Sequence, residues 1–361
     1  MRRSKLISYK IFTLLYGKIL GIKKVSKVSS TITKKFYYKN KKFKNIYILK
    51  NCRLYTDRIH NLALLHNNYL LDGPSYQIHR DNYSNIKKNI VLKIGTPRIL
   101  KKLSGSLLSL LSGGGANTNY FHWLYDVLPR LNIIKKFISL KKINYFLLPS
   151  LEKNFQKETL RLIGLKKKQL LSSVDYRHLS CDQIYVTDHP YIQKKSLEEQ
   201  LDIPLWILKW LRKTFLSKIN TKRKNKYLKK IYIERGFNVK ENAFNSRILK
   251  NERLIKNFLK AEGFHFINPE NYTFLNQVKL YHNAKVILGV HGSGFANIVF
   301  CKKNTKIIEL QTKGTGDVIK NLSLRNNLIY FRLKSKSTMS FNQNGIIDID
   351  FNALNKIVKN L

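Results

Sequence analysis

The sequence predicts an α/β protein of two domains, and three observations support this prediction. The chain has 361 residues, which exceeds an ordinary single domain of about 150 residues. Apolar residues make up 43% of the chain and aromatic residues 12%, a composition that supplies hydrophobic cores and argues against disorder. From residue 144 onward, apolar runs of strand length alternate with runs of helix length, which is typical of parallel sheets covered by helices.

The charge balance is strongly basic. Lysine and arginine total 68 against 21 aspartate and glutamate, a formal net charge of +47. Such a field attracts nucleic acid, anionic membrane surfaces and anionic small molecules. The basic residues are spread along the whole chain, however, and a general bias towards lysine is the simpler explanation. No nucleic-acid-binding module is recognisable, so no specific nucleic-acid partner is expected.

The cysteines bear on the cellular compartment. Cys52, Cys181 and Cys301 stand far apart and are odd in number. This pattern argues against a disulfide framework and against a cysteine zinc site. It favours a reducing compartment, so we expect a cytoplasmic protein.

Residues 1–30 are expected to form a basic amphipathic N-terminal segment. Lys10 and Lys18 interrupt its apolar residues, which makes a membrane-spanning helix costly. No small-residue cleavage site of a secretory signal follows. The segment suits a helix that lies on the inner face of an anionic membrane, or one that packs on the core as an ordinary first helix. The sequence leaves both alternatives open.

The first domain is expected to cover residues 31–220. Short apolar runs broken by Asn, Asp, Gly and Pro predict short strands over residues 31–112. A helix should follow from Asn119, which can cap it, because apolar residues then recur at helical spacing. Pro129 should end or kink that helix.

His122 and Asp126 are four residues apart and therefore share one face of the predicted helix. An imidazole beside a carboxylate is held in one tautomer and made more basic, as general-base catalysis requires. Either residue could be the base, with the other orienting or charging it. The alternative is that the pair only ties the helix to a loop.

The second domain is expected to cover residues 221–361, where strand and helix alternation restarts after a basic linker at 218–230. Its central feature is a buried strand at 286–290, a turn of His291, Gly292, Ser293 and Gly294, and an apolar helical segment at 295–300. Glycines in such a turn let a bare backbone approach an anion at the positive end of a helix. An esterase nucleophile turn fits poorly, because that motif needs glycine at position 291.

Two charged residues follow neighbouring strands of the same predicted sheet. Arg235 comes after a strand at 231–233, and Glu309 lies at the end of a strand at 306–310. The carboxyl ends of parallel strands open on one crevice, so both should lie near the His291 turn. A cation and backbone N–H groups suit a diphosphate, and a carboxylate suits sugar hydroxyls. A turn without any ligand is the alternative.

Residues 113–313 contain several ordered blocks, which are Asn119-x-x-His122-x-x-x-Asp126-Val-Leu-Pro-Arg130, Arg235, Arg247-x-x-x-Asn251-Glu252, Gly289-Val290-His291-Gly292-Ser293-Gly294-x-x-Asn297-x-Val299-Phe300 and Ile307-Ile308-Glu309-Leu310. In their order and spacing these blocks resemble glycosyltransferase family 61, which includes bacterial capsular polysaccharide biosynthesis proteins.

The resemblance implies two Rossmann-like domains that face a cleft, the GT-B type of glycosyltransferase. It implies metal-independent, inverting transfer of a sugar from a nucleotide-sugar, such as a UDP- or GDP-sugar, to a glycan or lipid-linked glycan acceptor in surface polysaccharide assembly, with no further cofactor. The residues it assigns to the donor are Arg235, Arg247, His291, Gly292, Ser293, Gly294, Asn297 and Glu309. It assigns Asn119 and Arg130 to the acceptor side.

The segment between Arg235 and Arg247 is longer than the usual arginine block of the family, so either arginine can meet the diphosphate. The alternative to an enzyme is a basic protein that binds nucleic acid or lipid without turnover, on a nucleotide-binding-like fold.

Overall fold

A computed structural model of the chain describes residues 3–38, 42–79, 82–83, 85–192, 199, 201–219, 228–234, 247–337, 340–341 and 344–361. For residues 3–9, 36–38, 42–44, 77–79, 82–83 and 340–341 it describes the backbone alone. The chain forms two compact units, Met1–Gln200 and Leu201–Leu361.

The helices and strands of the first unit are, in chain order, α1 (Arg3–Tyr16), β1 (Gly21–Lys24), β2 (Thr31–Tyr38), β3 (Lys42–Lys50), β4 (Arg53–Thr56), β5 (Asn61–His66), β6 (Tyr69–Asp72), β7 (Tyr76–His79), β8 (Asn82–Tyr83), α2 (Val91–Ile94), β9 (Lys101–Ser109), α3 (Gly115–Thr118), α4 (Tyr120–His122), α5 (Pro129–Lys135), β10 (Tyr145–Leu148), α6 (Asn154–Ile163), β11 (Leu170–Ser172) and β12 (His178–Thr187).

The sheet of the first unit is mixed. Its main path runs β1-β6-β5-β4-β12-β9-β10-β11. The last four strands of this path, β12, β9, β10 and β11, are parallel to one another, as the strand and helix alternation predicts. Strands β2 to β8, which are most of the predicted short strands before residue 112, pair antiparallel with one another, and their connections include short hairpins such as the turn at Asn67 and Asn68, which both have positive φ. β1 pairs in parallel with β6. This unit therefore departs from a purely parallel Rossmann sheet.

The elements of the second unit are α7 (Leu205–Leu216), β13 (Lys230–Ile233), β14 (Arg247–Leu249), α8 (Glu252–Ala261), β15 (His265–Ile267), α9 (Phe274–Asn283), β16 (Val286–Val290), β17 (Lys306–Gln311), α10 (Val318–Arg325), β18 (Ile329–Lys334), β19 (Ser340–Phe341), β20 (Asn344–Ile347) and α11 (Phe351–Lys359).

A five-stranded parallel sheet forms the centre of the second unit, with the order β15-β13-β16-β17-β18. The central strands are buried on both faces, and their near-continuous apolar sequences reflect this. The chain order reverses between β13 and β16. In open α/β sheets, this switch point is where the crevice for a ligand opens at the carboxyl ends of the strands.

The structure divides the chain earlier than the predicted boundary at 220/221. α7 belongs to the second unit, since Phe215 packs edge-on against Phe274 and Phe300. Arg212 also donates to the backbone carbonyls of Val299 and Cys301, at 2.6 and 2.7 Å. Sequence periodicity identifies this helix, but it does not show which core the helix joins.

Candidate functional site

The first candidate site lies on a helical segment that begins at Asn119. The Asn119 side chain accepts hydrogen bonds from the backbone N–H groups of Phe121 at 2.9 Å and His122 at 3.4 Å, which is the predicted cap. α4 continues into a π-helix, Trp123–Val127. This widened turn ends just before Pro129, the first residue of α5, which has no N–H group to continue an α-helical pattern.

His122 and Asp126 form the predicted pair. His122 Nδ1 lies 2.7 Å from Asp126 Oδ2. The Asp126 side chain is only 3% exposed, whereas the His122 side chain is 25% exposed. The imidazole ring lies against the backbone of Gly115, where an added Cβ would come within 3.0 Å of the ring. The pair is thus an accessible imidazole backed by a buried carboxylate.

The pair shifts the pKa of both partners. Burial alone would raise the pKa of Asp126, but the charge of His122 and hydrogen bonds from His122 and His189 hold it well below its usual range. Burial alone would lower the pKa of His122, but the charge and hydrogen bond of Asp126 raise it above its ordinary value of 6.5. An ionised Asp126 fixes the proton on Nδ1 of His122, so Nε2 is the nitrogen that exchanges a proton.

Two further side chains hold Asp126, and sequence reasoning missed both. Tyr191 donates its hydroxyl to Asp126 Oδ1 at 2.6 Å. The Nε2 atom of the buried His189 lies 3.7 Å from Asp126 Oδ2. His189 Nδ1 accepts from the backbone N–H of Ile192 at 3.1 Å, so the neutral ring carries its proton on Nε2, towards the carboxylate. The only sequence signal is a His and a Tyr just beyond the end of a strand.

The Arg130 side chain is fully buried and bonds to the main chain. Its Nε donates to the backbone carbonyl of Asp126 and its Nη1 to that of Thr187, each at 2.9 Å. The expected acceptor-side contact is therefore not accessible at this position. Arg130 instead ties the widened turn that carries Asp126 to the end of β12. Asn119 is exposed beside the pair, but its side chain caps the helix.

The second candidate site is the turn after β16, at the switch point of the parallel sheet. The backbone N–H of His291 donates to the carbonyl of Leu310 at 2.9 Å, which holds the turn against β17. Arg247 Nη1 donates to the carbonyl of His291 at 2.9 Å. A 3-10 helix, Ser293–Phe300, follows, so the turn opens a helical segment as predicted. A guanidinium and the start of a helix thus meet at this turn.

Glu309 lies beneath this turn rather than at a surface. It is fully buried, and one carboxylate oxygen is hydrogen-bonded to Nδ1 of His291. The other oxygen accepts the hydroxyl of Tyr330 at 2.5 Å. Burial and the charge of Glu309 both raise the pKa of Tyr330, which therefore stays a proton donor. The expected contact of Glu309 with sugar hydroxyls is replaced by a role in fixing the His291 ring.

Two more donor-side candidates support the turn from within the fold. Asn297 is fully buried, and its Nδ2 donates to Oε1 of Gln277 at 2.8 Å, which joins the 3-10 helix to α9. Gly294 is needed for packing, because a Cβ there would lie 2.8 Å from Cγ2 of Ile233. Only small residues fit where these two segments meet.

Three positions that the resemblance assigns to the donor remain. Ser293 is exposed and Gly292 is half-buried, so both can meet a ligand. Arg235 lies outside the described residues. Among the residues that the structure describes, no group of three or more His, Cys, Asp or Glu side chains could hold a metal ion.

Each unit thus carries a histidine on a buried carboxylate, and the second places its histidine in a glycine turn at the switch point of a parallel sheet. The family model for glycosyltransferase 61 matches residues 120–308, which is just over half of the chain and includes the His122–Asp126 pair and the His291 turn. The chain belongs to glycosyltransferase family 61. Membership implies glycosyltransferase activity, with a sugar donor and a glycan acceptor as substrates. No curated protein matches the chain.

The glycines of the turn should differ in their effect on stability. Gly294→Ala should lower the free energy of unfolding by about 1–3 kcal/mol, because the new methyl group overpacks against Ile233. Gly292→Ala is the matched control. Its Cβ would lie 3.6 Å from the nearest atom, Nη1 of Arg247, and its φ of 168° is extended backbone that alanine adopts. Urea unfolding of both variants measures the difference, and equal stabilities would contradict the packing argument.

Proposed function

We propose that the protein is an inverting, metal-independent glycosyltransferase. It transfers a sugar from a nucleotide-sugar, such as a UDP- or GDP-sugar, to a glycan or lipid-linked glycan in capsular or other surface polysaccharide assembly. The proposal includes the GT-B arrangement, with the donor on the second unit and the acceptor on the first. The observation that carries it is the His122–Asp126 pair, an accessible base on a buried carboxylate, within a chain of this family.

His122 is the base in this proposal, and Asp126 is the residue that orients and charges it. Only His122 is exposed enough to contact an acceptor hydroxyl. Its Nε2 takes the hydroxyl proton while the acceptor oxygen bonds to the anomeric carbon of the donor. The bond from that carbon to the nucleoside diphosphate breaks on the opposite face, which inverts the configuration. Asp126 stabilises the imidazolium that forms, as the carboxylate of a catalytic triad does.

The turn of the second unit binds the leaving diphosphate in this proposal. Gly292 is half-buried with an extended backbone, so a phosphate can approach its main chain closely. Arg247, which donates to the carbonyl of His291, lies within reach of the same place and supplies positive charge. The buried Glu309 fixes His291, and the turn is thereby organised before the donor arrives.

Nucleotide binding without Mg²⁺ tests the donor half of the proposal. UDP or GDP at 100 times its dissociation constant should stabilise the protein by about 2.7 kcal/mol, seen as a rise in melting temperature. Gly292→Ala should reduce this rise, because in this proposal its Cβ stands where the phosphate approaches the main chain. It should leave the melting temperature of the free protein unchanged, because the Cβ meets no protein atom closer than 3.6 Å. An unaltered response of the variant to every nucleoside diphosphate would remove the turn from the donor site.

Removal of either member of the pair should slow turnover. His122→Ala and Asp126→Asn should each reduce transfer about 10²- to 10⁴-fold, the usual contribution of a general base, with nucleotide affinity near normal. The exposed His265 offers a matched control, and His265→Ala should retain activity. A screen of nucleotide-sugars for hydrolysis identifies the donor first. Transfer at the parental rate by both variants would show that the pair is structural.

The pH dependence of the rate reports the environment of His122. The base must be unprotonated, and its pKa is raised above 6.5, so the rate should fall as the pH drops through a value above 6.5. Asp126→Asn removes the charge that raises this pKa and should move the acid limb to lower pH. An acid limb in the same place in parent and variant would assign the titration to another group.

Tyr191 should act as a positioning residue for the same pair. Tyr191→Phe removes a donor from Asp126 and leaves a more basic carboxylate, which holds the proton of His122 more tightly. The acid limb should therefore move to higher pH, opposite to Asp126→Asn, and the rate should fall several-fold. Tyr185→Phe is the matched control, because that hydroxyl bonds Gln183 instead. Equal pH profiles for both variants would contradict the role of Tyr191.

A further inference from the structure

Large apolar side chains are exposed together at the N-terminal part of the first unit. Ile11, Leu14 and Leu15 form one stripe of α1, since residues three and four apart share a helix face. Leu20 follows the helix, and Ile99 lies in another part of the sequence. Their exposed fractions are 51% for Ile11, 87% for Leu14, 63% for Leu15, 60% for Leu20 and 73% for Ile99. We call these five residues the N-terminal apolar surface.

The packing of Tyr16 explains why these side chains face outwards. The Tyr16 hydroxyl accepts the backbone N–H of Leu100 at 2.9 Å, and its ring packs edge-on against His178 at 5.0 Å. The ring of Phe12 stacks on Tyr16, and the guanidinium of Arg53 lies 5.7 Å from the centre of the Tyr16 ring. α1 therefore attaches to the unit through Tyr16, on which Phe12 stacks. Its opposite stripe remains exposed.

The same contacts bring the separate parts of the surface together. The bond from Leu100 to Tyr16 places the neighbouring Ile99 beside the end of α1. Arg53 donates both to the carbonyl of Tyr16 and to the side chain of Asn68, and the carbonyl of Asn68 accepts the N–H of Leu20. One hydrogen-bonded group thus connects the end of α1 with Leu20 and Ile99. Contiguous apolar patches on a protein surface mark interaction sites.

The positive charge around the N-terminal apolar surface indicates which kind of partner it binds. Residues 1–56 contain 16 lysines and arginines and no aspartate or glutamate. Lys10, Lys18 and Lys24 are exposed near α1, and Arg98 and Lys101 are exposed on either side of Ile99. A second copy of this chain carries the same positive charge and is repelled. Exposed apolar side chains among an excess of lysines match the interface of an anionic lipid bilayer.

We propose that the N-terminal apolar surface docks the protein on a membrane that carries anionic lipids. Ile11, Leu14 and Leu15 enter the boundary between headgroups and acyl chains, and the surrounding lysines contact the headgroups. No helix among the described residues is long and apolar enough to cross a membrane, and the proposed contact lies on one leaflet only. The inference rests on the surface alone and does not depend on the transfer chemistry.

Binding of the full-length protein to vesicles tests this proposal. Cosedimentation with vesicles of phosphatidylglycerol and phosphatidylcholine should be at least about tenfold stronger than with phosphatidylcholine alone, because several lysines lie at the headgroups. The double variant Leu14→Glu, Leu15→Glu should bind the mixed vesicles about 100-fold more weakly, since each of the two buried leucines contributes about one order of magnitude. The variant Lys10→Glu, Lys18→Glu should lose the preference for phosphatidylglycerol and keep its fold.

Matched controls separate docking from general hydrophobicity and charge. Leu254 and Leu324 are similarly exposed leucines of the second unit, and Leu254→Glu, Leu324→Glu should leave vesicle binding unchanged. Equal binding by the parent and the Leu14, Leu15 variant would overturn the proposal. So would equal binding of the parent to both vesicle types. A parental dimer that the Leu14, Leu15 variant converts to a monomer in sedimentation velocity would assign the surface to a second copy.

Discussion

The buried carboxylate of Asp126 is the constraint on which the first site depends. An ionised carboxylate away from water is stable only when its oxygens accept enough hydrogen bonds and face positive charge. Here Tyr191 occupies one oxygen, while His122 and His189 approach the other. Arg130, fully buried, holds the main chain of the same residue. The accessible His122 is thus positioned by a carboxylate that is itself held on several sides.

The second unit also contains a buried carboxylate bonded to a histidine and a tyrosine, but there the histidine is less accessible. Glu309 is also buried, and it also bonds a histidine with one oxygen and a tyrosine hydroxyl with the other. His291 is only 7% exposed, however, against 25% for His122. Its backbone is fixed on both sides, by Leu310 through its N–H and by Arg247 through its carbonyl. The same chemistry therefore presents a side chain in the first unit and shapes a main-chain turn in the second.

Local spacing was enough to predict the parts of the sites that lie within one element. The four-residue separation of His122 and Asp126 and the strand, turn and helix at 286–300 are patterns of that kind, and the structure contains both. Tyr191 lies 65 residues from Asp126, and no periodicity connects them. The packing of Gly294 on Ile233 and the burial of Glu309 depend on neighbouring strands in the same way.

In the fold, too, the features that depend on adjacent residues could be predicted, and those that depend on contacts between distant residues could not. Alternating strand and helix segments predicted the parallel sheet of the second unit, because a strand, its crossover helix and the next strand follow one another along the chain. The antiparallel strands of the first unit join β12 to β3 and β4 from much earlier in the chain. The placement of α7 with the second unit likewise depends on aromatic contacts to Phe274 and Phe300. Such pairings are decided by the packing of the whole unit.

The excess of basic residues and the two buried carboxylates act on different length scales. A net charge of +47 attracts anionic molecules over long distances, but it would also oppose protonation of the histidines. Surface charges are screened beyond about 8 Å at physiological salt, whereas a buried pair is screened much less. Asp126, at 2.7 Å from His122, therefore outweighs the distant lysines, and the pKa of His122 is raised despite the positive field. A strongly basic surface can thus attract anionic molecules while each buried carboxylate fixes the histidine beside it.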